Sequence, residues 1–153
     1  MNSIANFDTP VLASSLPLEV SLINGFVQAG FPSPAEDLGA KRLDLTQLLI
    51  KHSQATYFLR ASGHSMKDAG IFDGDILVVD KAIKPRNNHI VVAIVDGDFT
   101  VKQLYQRAGR TKLKSANPTY PDVTPKEGQT IEVWGVVTSW VFRATVTGHF
   151  GRS

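Results

Sequence analysis

The stretch His89–Tyr105, HIVVAIVDGDFTVKQLY, decides the fold class of this chain. Two apolar runs, His89–Val95 and Phe99–Tyr105, flank the turn residues Asp96-Gly97-Asp98. An Asp-Gly pair between two such runs is the strongest short-range signal for a β-hairpin. We therefore predict two adjacent antiparallel strands here.

Further short apolar runs on either side of this hairpin are typical of strands. Ala55–Arg60 and Asp75–Asp80 precede it, and a weaker run, Thr111–Ser115, follows it. Residues 130–145 predict one or two more strands, bent at Gly135. Many short strands separated by turn residues predict a mainly β fold, a compact curved sheet, sandwich or partial barrel.

The N-terminal part of the chain has a different composition. Residues 1–40 contain Pro10, Pro17, Pro32 and Pro34 and only scattered apolar residues, which argues against a continuous helix. We predict an extended arm with short ordered pieces over residues 1–40 and a folded domain over residues 41–153. Within that domain, Asp44–Lys51 predicts one short helix with Asp44 as its N-cap.

Composition excludes several classes of protein and site. The 153 residues include no cysteine, so disulfides and thiolate nucleophiles are excluded, and the four histidines lack metal-ligand spacing. We expect neither a metal nor a cofactor. A net charge of +2 gives no ground to infer nucleic-acid binding. Without a long apolar stretch or a signal peptide, we expect a cytoplasmic protein with no membrane contact.

Two positions could carry chemistry. Ser65 lies in Ser62–Met66, SGHSM, where Gly63 allows a tight turn that could raise a nucleophile into a cleft. Lys102 lies in an apolar strand on the same face as Thr100, and a buried neutral lysine can act as a general base for a serine. Taken singly, each is more often an ordinary surface residue. A Ser–His–Asp triad stays open, although no motif supports it.

The arm contains a small, flexible pair, Ala29-Gly30, followed by Phe31-Pro32-Ser33-Pro34. Small side chains let an extended backbone enter a narrow cleft, and the prolines keep the segment out of a helix. On its own, this pair fits an ordinary turn equally well.

Together these elements resemble the LexA/UmuD family of self-cleaving serine peptidases. The resemblance extends from about residue 26 to residue 141. It is carried by GFPSPAEDLGAKRLDLTQLLIKHSQATYFLRASGHSM, GIFDGDILVVDKAI, IVVAIVDGDFTVKQL and IEVWGVV. UmuD-like members are the most similar, because only 29 residues lie before the Ala29–Gly30 bond and they predict no helix-turn-helix module. His64 departs from the family, whose UmuD-like members usually carry aspartate there.

The resemblance assigns a role to each element. It implies that Ser65 is the nucleophile, that Lys102 is the general base and that the chain is cut between Ala29 and Gly30. The main-chain N–H groups of Ser65 and His64 are the expected oxyanion donors. The fold it implies is that of the LexA-type catalytic domain.

The resemblance also implies partners. These are a second copy of the chain in a homodimer, a RecA–single-stranded DNA filament that stimulates cleavage, the UmuC polymerase subunit of error-prone translesion synthesis, and the sliding clamp. It implies no sequence-specific DNA binding. Two other classes stay open: a non-enzymatic regulatory or interaction module of the same fold, and a peptidase that acts on other proteins.

Overall fold

The chain folds as a mainly β protein in the computed structural model, which describes residues 10–12, 19–23, 29–30 and 40–142. This confirms the predicted fold class. Within the described residues the strands are β1 (Val11–Leu12), β2 (Glu19–Ile23), β3 (Ala40–Asp44), β4 (Thr56–Arg60), β5 (Ile76–Asp80), β6 (Ile90–Val95), β7 (Asp98–Arg107), β8 (Arg110–Lys114) and β9 (Glu132–Val141). The α-helix is α1 (Leu45–Leu49), and short 3₁₀ turns cover Ser53–Ala55 and Lys67–Ala69.

Seven strands form one antiparallel sheet in the order β1-β4-β5-β9-β6-β7-β8. The strand β9, the last one in the described residues, lies in the middle, between β5 and β6. This placement joins the β4–β5 half, which leads into the Ser65 loop, to the β6–β7 hairpin, which carries Lys102. Non-local pairing by β9 therefore holds the two candidate catalytic residues in one framework.

The predicted hairpin is confirmed. Val95 pairs with Asp98, so only Asp96 and Gly97 connect β6 to β7. Both turn residues have positive φ, 51° and 86°, as a type I′ turn requires. The twist of this turn matches the twist of the strands, which fixes the register that brings Lys102 opposite Val91.

The segment predicted as one or two strands is a single strand, β9, as far as Val141; residues 143–145 lie outside the described part. Its pairing with β6 shifts register, because Val92 pairs with Gly135 and Ala93 with Val133, so Trp134 is an extra residue in a bulge. A Cβ on Gly135 would lie 2.6 Å from Val79 Cγ1. The glycine is therefore required by close packing against β5.

Apolar side chains cover both faces of the sheet. Leu59, Met66, Leu77 and Val92 belong to one buried cluster, which also packs against Trp134 and Trp140. A second cluster contains Val91, Ala93, Leu104, Leu113 and Val136. Successive residues of β6 alternate between the clusters, because side chains alternate across a strand.

Short elements lie within the residues predicted as the arm and directly after them. The Asp44 carboxylate caps α1 by accepting from Thr46 N at 2.9 Å, as predicted, but the helix ends at Leu49 instead of Lys51. β2 and β3 pair with each other in a separate two-stranded sheet. Thus β3 contains residue 40, at the predicted boundary between arm and domain, and that division stays a prediction.

In the described residues no helix is both long and apolar enough to cross a bilayer.

Candidate active site

The loop that carries Ser65 leaves the end of β4 and is held at both ends. Gly63 has a φ of +88°, a value that favours glycine, and its N–H donates to Asp73 Oδ1 at 2.8 Å. Met66 is only 2% exposed and belongs to the buried cluster beneath the sheet. Ser65 therefore lies between a tethered turn and a core anchor.

A second segment braces the same loop. The Asn117 side chain donates to the His64 carbonyl at 2.8 Å. Ala116 N donates to the Ser65 carbonyl at 2.8 Å, and Asp68 N donates to the Ala116 carbonyl at 2.7 Å. The sequence motifs assign no role to this segment. Asn117-Pro118 signals a turn, but no local pattern reveals that the turn binds a loop 53 residues earlier.

Lys102 reaches Ser65 from the middle of β7. Its Nζ lies 2.9 Å from Ser65 Oγ, 3.0 Å from Thr100 Oγ1 and 3.1 Å from the Val101 carbonyl. The strand alternation that placed Thr100 and Lys102 on one face explains the second contact. The two residues that the motifs singled out are thus within hydrogen-bond distance of each other.

The surroundings of Lys102 disfavour its charge. The residue is 8% exposed, and among the described residues no carboxylate forms an ion pair with it. Desolvation by burial lowers the pKa of Lys102 below its ordinary value. A lysine held this way supplies a neutral amine at lower pH than a solvated one, and a neutral amine can take a proton from the Ser65 hydroxyl.

Two main-chain donors beside Ser65 are unused. Over the described part of the chain, the N–H groups of His64 and Ser65 donate to no acceptor. Each N–H is a strong donor and is normally paired when it is shielded from water. Their position next to the Ser65 hydroxyl suits them to receive a developing negative charge on a substrate carbonyl oxygen.

A cleft of about 250 Å³ contains the Ser65 and Lys102 side chains. Leu59 and Val92 contribute to its lining, and the exposed rings of Phe99 and Tyr120 also line it. This volume is below the range of sites for drug-sized ligands, roughly 300–1,000 Å³. It suits a short, extended peptide segment with small side chains.

The predicted cleavage bond lies outside this cleft. Ala29 and Gly30 are both exposed, and neither is among the described residues that line the cleft. A Cβ built on Gly30 would meet nothing within 4 Å. The structure therefore has the Ser65–Lys102 pair assembled while the Ala29–Gly30 bond lies in the open.

The histidines do not form a competing triad among the described residues. The His52 ring pairs with Asp80, Nδ1 to Oδ2 at 2.6 Å, and the His89 ring accepts from Arg86 N. The His64 residue lines the cleft, but its ring makes no hydrogen bond to Ser65. His149 lies outside the described residues. No group of three potential metal ligands occurs in the described ranges.

Comparison with known proteins identifies the family. A family model described as Peptidase S24-like matches residues 21–138, which is more than half of the chain. The chain belongs to the S24 peptidase family. This confirms the resemblance to the LexA/UmuD type that the motifs indicated. The match begins within the predicted arm and ends within β9.

Three relatives are similar to this S24 family member over about three quarters of its length. It is 46% identical to the protein SamA of Salmonella typhimurium over 119 residues, covering 78% of this chain and 82% of SamA. It is 48% identical to the protein ImpA of Escherichia coli over 118 residues, covering 76% and 79%. A LexA repressor of Paracidovorax citrulli is 37% identical over 117 residues, which cover 76% of this chain and 52% of the repressor.

Proposed function

We propose that this S24 family member cleaves its own backbone between Ala29 and Gly30, with Ser65 as nucleophile and Lys102 as general base. The observation that carries the proposal is the 2.9 Å contact between Lys102 Nζ and Ser65 Oγ, in a buried setting where no described carboxylate pairs with the lysine. A lysine whose charged form is stabilised by a carboxylate would be a poor base. An amine surrounded by hydroxyls and a carbonyl is a competent one.

In the first half of the reaction, the Ala29 carbonyl enters the cleft. The neutral Lys102 amine takes the proton of Ser65, and Ser65 Oγ bonds to the Ala29 carbonyl carbon. The N–H groups of His64 and Ser65 donate to the resulting oxyanion. When the carbon–nitrogen bond breaks, Lys102 gives its proton to the leaving Gly30 amine, and an ester joins Ala29 to Ser65.

In the second half, water replaces the leaving amine. Lys102 is neutral again and takes a proton from the water as its oxygen attacks the ester carbon. Collapse of the second tetrahedral intermediate returns that proton to Ser65. Residues 1–29 leave as a carboxylic acid, and residues 30–153 keep a new N-terminal glycine.

The arm must dock before the chemistry, so the observed rate depends on the fraction of molecules in which it is docked. The Ala29–Gly30 bond is exposed and outside the cleft, so the substrate must move before chemistry begins. A flexible tether still gives the arm an effective concentration on the order of millimolar. Any partner that holds the arm in the cleft therefore accelerates cleavage without touching Ser65 or Lys102.

We further propose a cellular role on the basis of the family. A RecA–single-stranded DNA filament stimulates the cleavage during the SOS response in the cytoplasm. The product, residues 30–153, then acts as a homodimer with the UmuC polymerase subunit in translesion synthesis, with the sliding clamp as a further partner. Membership of the S24 family and similarity to LexA support this assignment.

The direct test is incubation of the purified chain with and without a RecA filament, followed by mass spectrometry. We expect fragments that end at Ala29 and begin at Gly30, formed faster with the filament. The variants Ser65→Ala and Lys102→Ala should stay intact. Matched controls are Ser62→Ala, an exposed serine in the same cleft, and Lys67→Ala, an exposed lysine beside the loop, which should still cleave.

The test separates the proposed enzyme from other members of the same fold. A cut that persists in Ser65→Ala or Lys102→Ala overturns the catalytic assignment. An intact wild-type chain under every condition favours a non-enzymatic interaction module. Sedimentation equilibrium of the product tests the dimer, which should weigh nearly twice one processed chain.

A further inference from the structure

The hairpin formed by β7 and β8 concentrates positive charge on one face. Its register pairs Arg107 with Arg110, Tyr105 with Lys112, and Gln103 with Lys114. Because side chains alternate across a strand, these six residues share one face of the hairpin. The opposite face is apolar at its centre, where Leu104 and Leu113 pair and are fully buried. One side of the hairpin thus anchors it to the core, and the other presents four cations.

Little in the described structure neutralises these cations. Lys112 pairs with Asp122 at 3.4 Å, with both side chains about a third exposed. A pair this exposed contributes little. Arg107, Arg110 and Lys114 form no ion pair with any described residue. Arg107 and Arg110 also lie directly opposite each other, which is a destabilising arrangement for like charges.

The Tyr105 ring contacts two of the cations, Lys112 and Lys114. Lys112 Nζ lies 5.0 Å from the centroid of the ring, and Lys114 Nζ lies 5.8 Å from it. Both distances are in the range of a cation–π interaction. The ring therefore holds both ammonium groups over the sheet surface, and less side-chain entropy is lost when they bind an anion.

We propose that this basic hairpin face, Arg107, Arg110, Lys112 and Lys114 around Tyr105, binds the phosphate backbone of single-stranded DNA without sequence preference. Same-face positions on a strand repeat every ~6.6–7 Å, so the cations form regular rows. A phosphodiester chain offers a regular row of negative charges to match. An acidic protein would have to place several carboxylates at this same spacing to match.

The shape of the surface favours a single strand over a duplex. The cations lie on one face of a sheet, and an unpaired strand is flexible enough to lay its phosphate backbone along such a face. Reading a duplex requires an element that protrudes into a groove. The net charge of +2 does not indicate this site, because acidic residues elsewhere in the chain offset its positive charge.

The basic hairpin face is separate from the catalytic pair. Tyr105 and Lys102 are three residues apart on β7 and therefore lie on opposite faces of it. Binding there does not need the cleft. The proposal is therefore independent of self-cleavage, and its failure would leave the Ser65–Lys102 mechanism intact.

The test is fluorescence anisotropy of a short labelled oligothymidylate titrated with the full-length chain, with Ser65→Ala in every sample to keep the chain intact. We expect binding that weakens with salt. With three to four phosphate contacts, the slope of log K against log salt should be about −2 to −3. A slope near zero would contradict phosphate binding.

The deciding variant replaces Arg107, Arg110, Lys112 and Lys114 with Gln, and it should lose at least tenfold in affinity. Its charge-matched control replaces the exposed lysines 41, 51, 67 and 126 with Gln and should stay within twofold of the parent. Equal losses in both variants overturn the site. If the first variant does not fold by circular dichroism, the pair Arg107→Gln and Arg110→Gln at the turn gives the same comparison with a pair of control lysines.

Two competitors test the identity of the ligand. A duplex of the same length and sequence should compete less well than the single strand, and polyglutamate should not compete at equal charge. Stronger competition by the duplex, or equal competition by polyglutamate, would overturn single-stranded DNA as the occupant. The second result would instead favour an acidic protein.

Discussion

The polar partners of Lys102 determine what its amine can do. Its Nζ contacts Ser65 Oγ, Thr100 Oγ1 and the Val101 carbonyl, and all three are uncharged. The Thr100 hydroxyl has a double effect. It orients the amine toward Ser65, and by accepting a hydrogen bond it stabilises the charged form of Lys102 relative to a site without that acceptor.

Replacement of Thr100 by Val should separate these two effects. The maximum rate of self-cleavage should fall about tenfold, the equivalent of one lost hydrogen bond. The rate profile should also move to lower pH, because loss of an acceptor lowers the pKa of Lys102 further. Rates followed by mass spectrometry against pH measure both quantities. Thr124→Val, at an exposed threonine, is the control, and a shift to higher pH would contradict this role for Thr100.

The sequence indicated which residues form the candidate site, but it did not indicate how buried they are or what holds them in place. The family motifs indicated Ser65 and Lys102, and strand alternation placed Thr100 beside Lys102. Nothing local indicated that Lys102 would be buried, because a lysine in an apolar strand is equally compatible with a solvated face. The brace from Asn117 was also invisible, since it depends on a contact between residues 53 positions apart.

Among the secondary-structure elements, those with local signals were predicted and those with non-local causes were not. The Asp96-Gly97 turn and the Asp44 cap are specified by adjacent residues, and both were found. The strand β3 forms because it pairs with β2. Its own sequence has no alternation of apolar and polar residues that would predict a strand. The second hairpin turn, Ala108-Gly109, has positive φ at both residues, 50° and 73°. Glycine favours such a turn, but alanine rarely adopts this value, so the pair is a weaker turn signal than Asp96-Gly97.

The packing of β9 against β5 gives a prediction at this scale. Gly135→Ala would place a Cβ 2.6 Å from Val79 Cγ1, next to the bulge at Trp134. Such overpacking should lower the free energy of unfolding by about 1–3 kcal/mol. Urea denaturation of proteins that carry Ser65→Ala measures the effect. Gly30→Ala, where a Cβ meets nothing within 4 Å, is the matched control and should leave stability unchanged. Equal stabilities of the two variants would contradict the close contact.

For the molecule as a whole, the Ser65–Lys102 contact and the exposed Ala29–Gly30 bond are the arrangement that the proposed self-cleavage requires of an enzyme at rest. The β9 strand joins both halves of the site into one sheet, so Ser65 and Lys102 are in place before the arm arrives. The sequence predicted an arm and a catalytic domain, but the position of Ala29-Gly30 relative to the cleft depends on tertiary structure. The proposed mechanism therefore predicts that the cleavage rate depends on docking of the arm and on the protonation of Lys102.

The protonation of Lys102 also affects how the stability of the fold depends on pH. Burial lowers the pKa of Lys102 in the folded chain below its value in the unfolded chain. Between those two pKa values the unfolded chain binds more protons at this residue, so its contribution to stability increases with pH. Faster cleavage at higher pH would therefore not follow from unfolding caused by this group.

The most direct measurement is the rate at which the purified chain, without any partner, loses residues 1–29 between neutral pH and about pH 10. The rate should rise as Lys102 loses its proton, about tenfold per pH unit below its pKa, and level off above it. Because the pKa is lowered, the plateau should begin below the pH at which a solvated lysine deprotonates. Ser65→Ala and Lys102→Ala should release nothing at any pH. A rate that stays flat over this range, or cleavage that persists in Lys102→Ala, would contradict a neutral Lys102 amine as the general base.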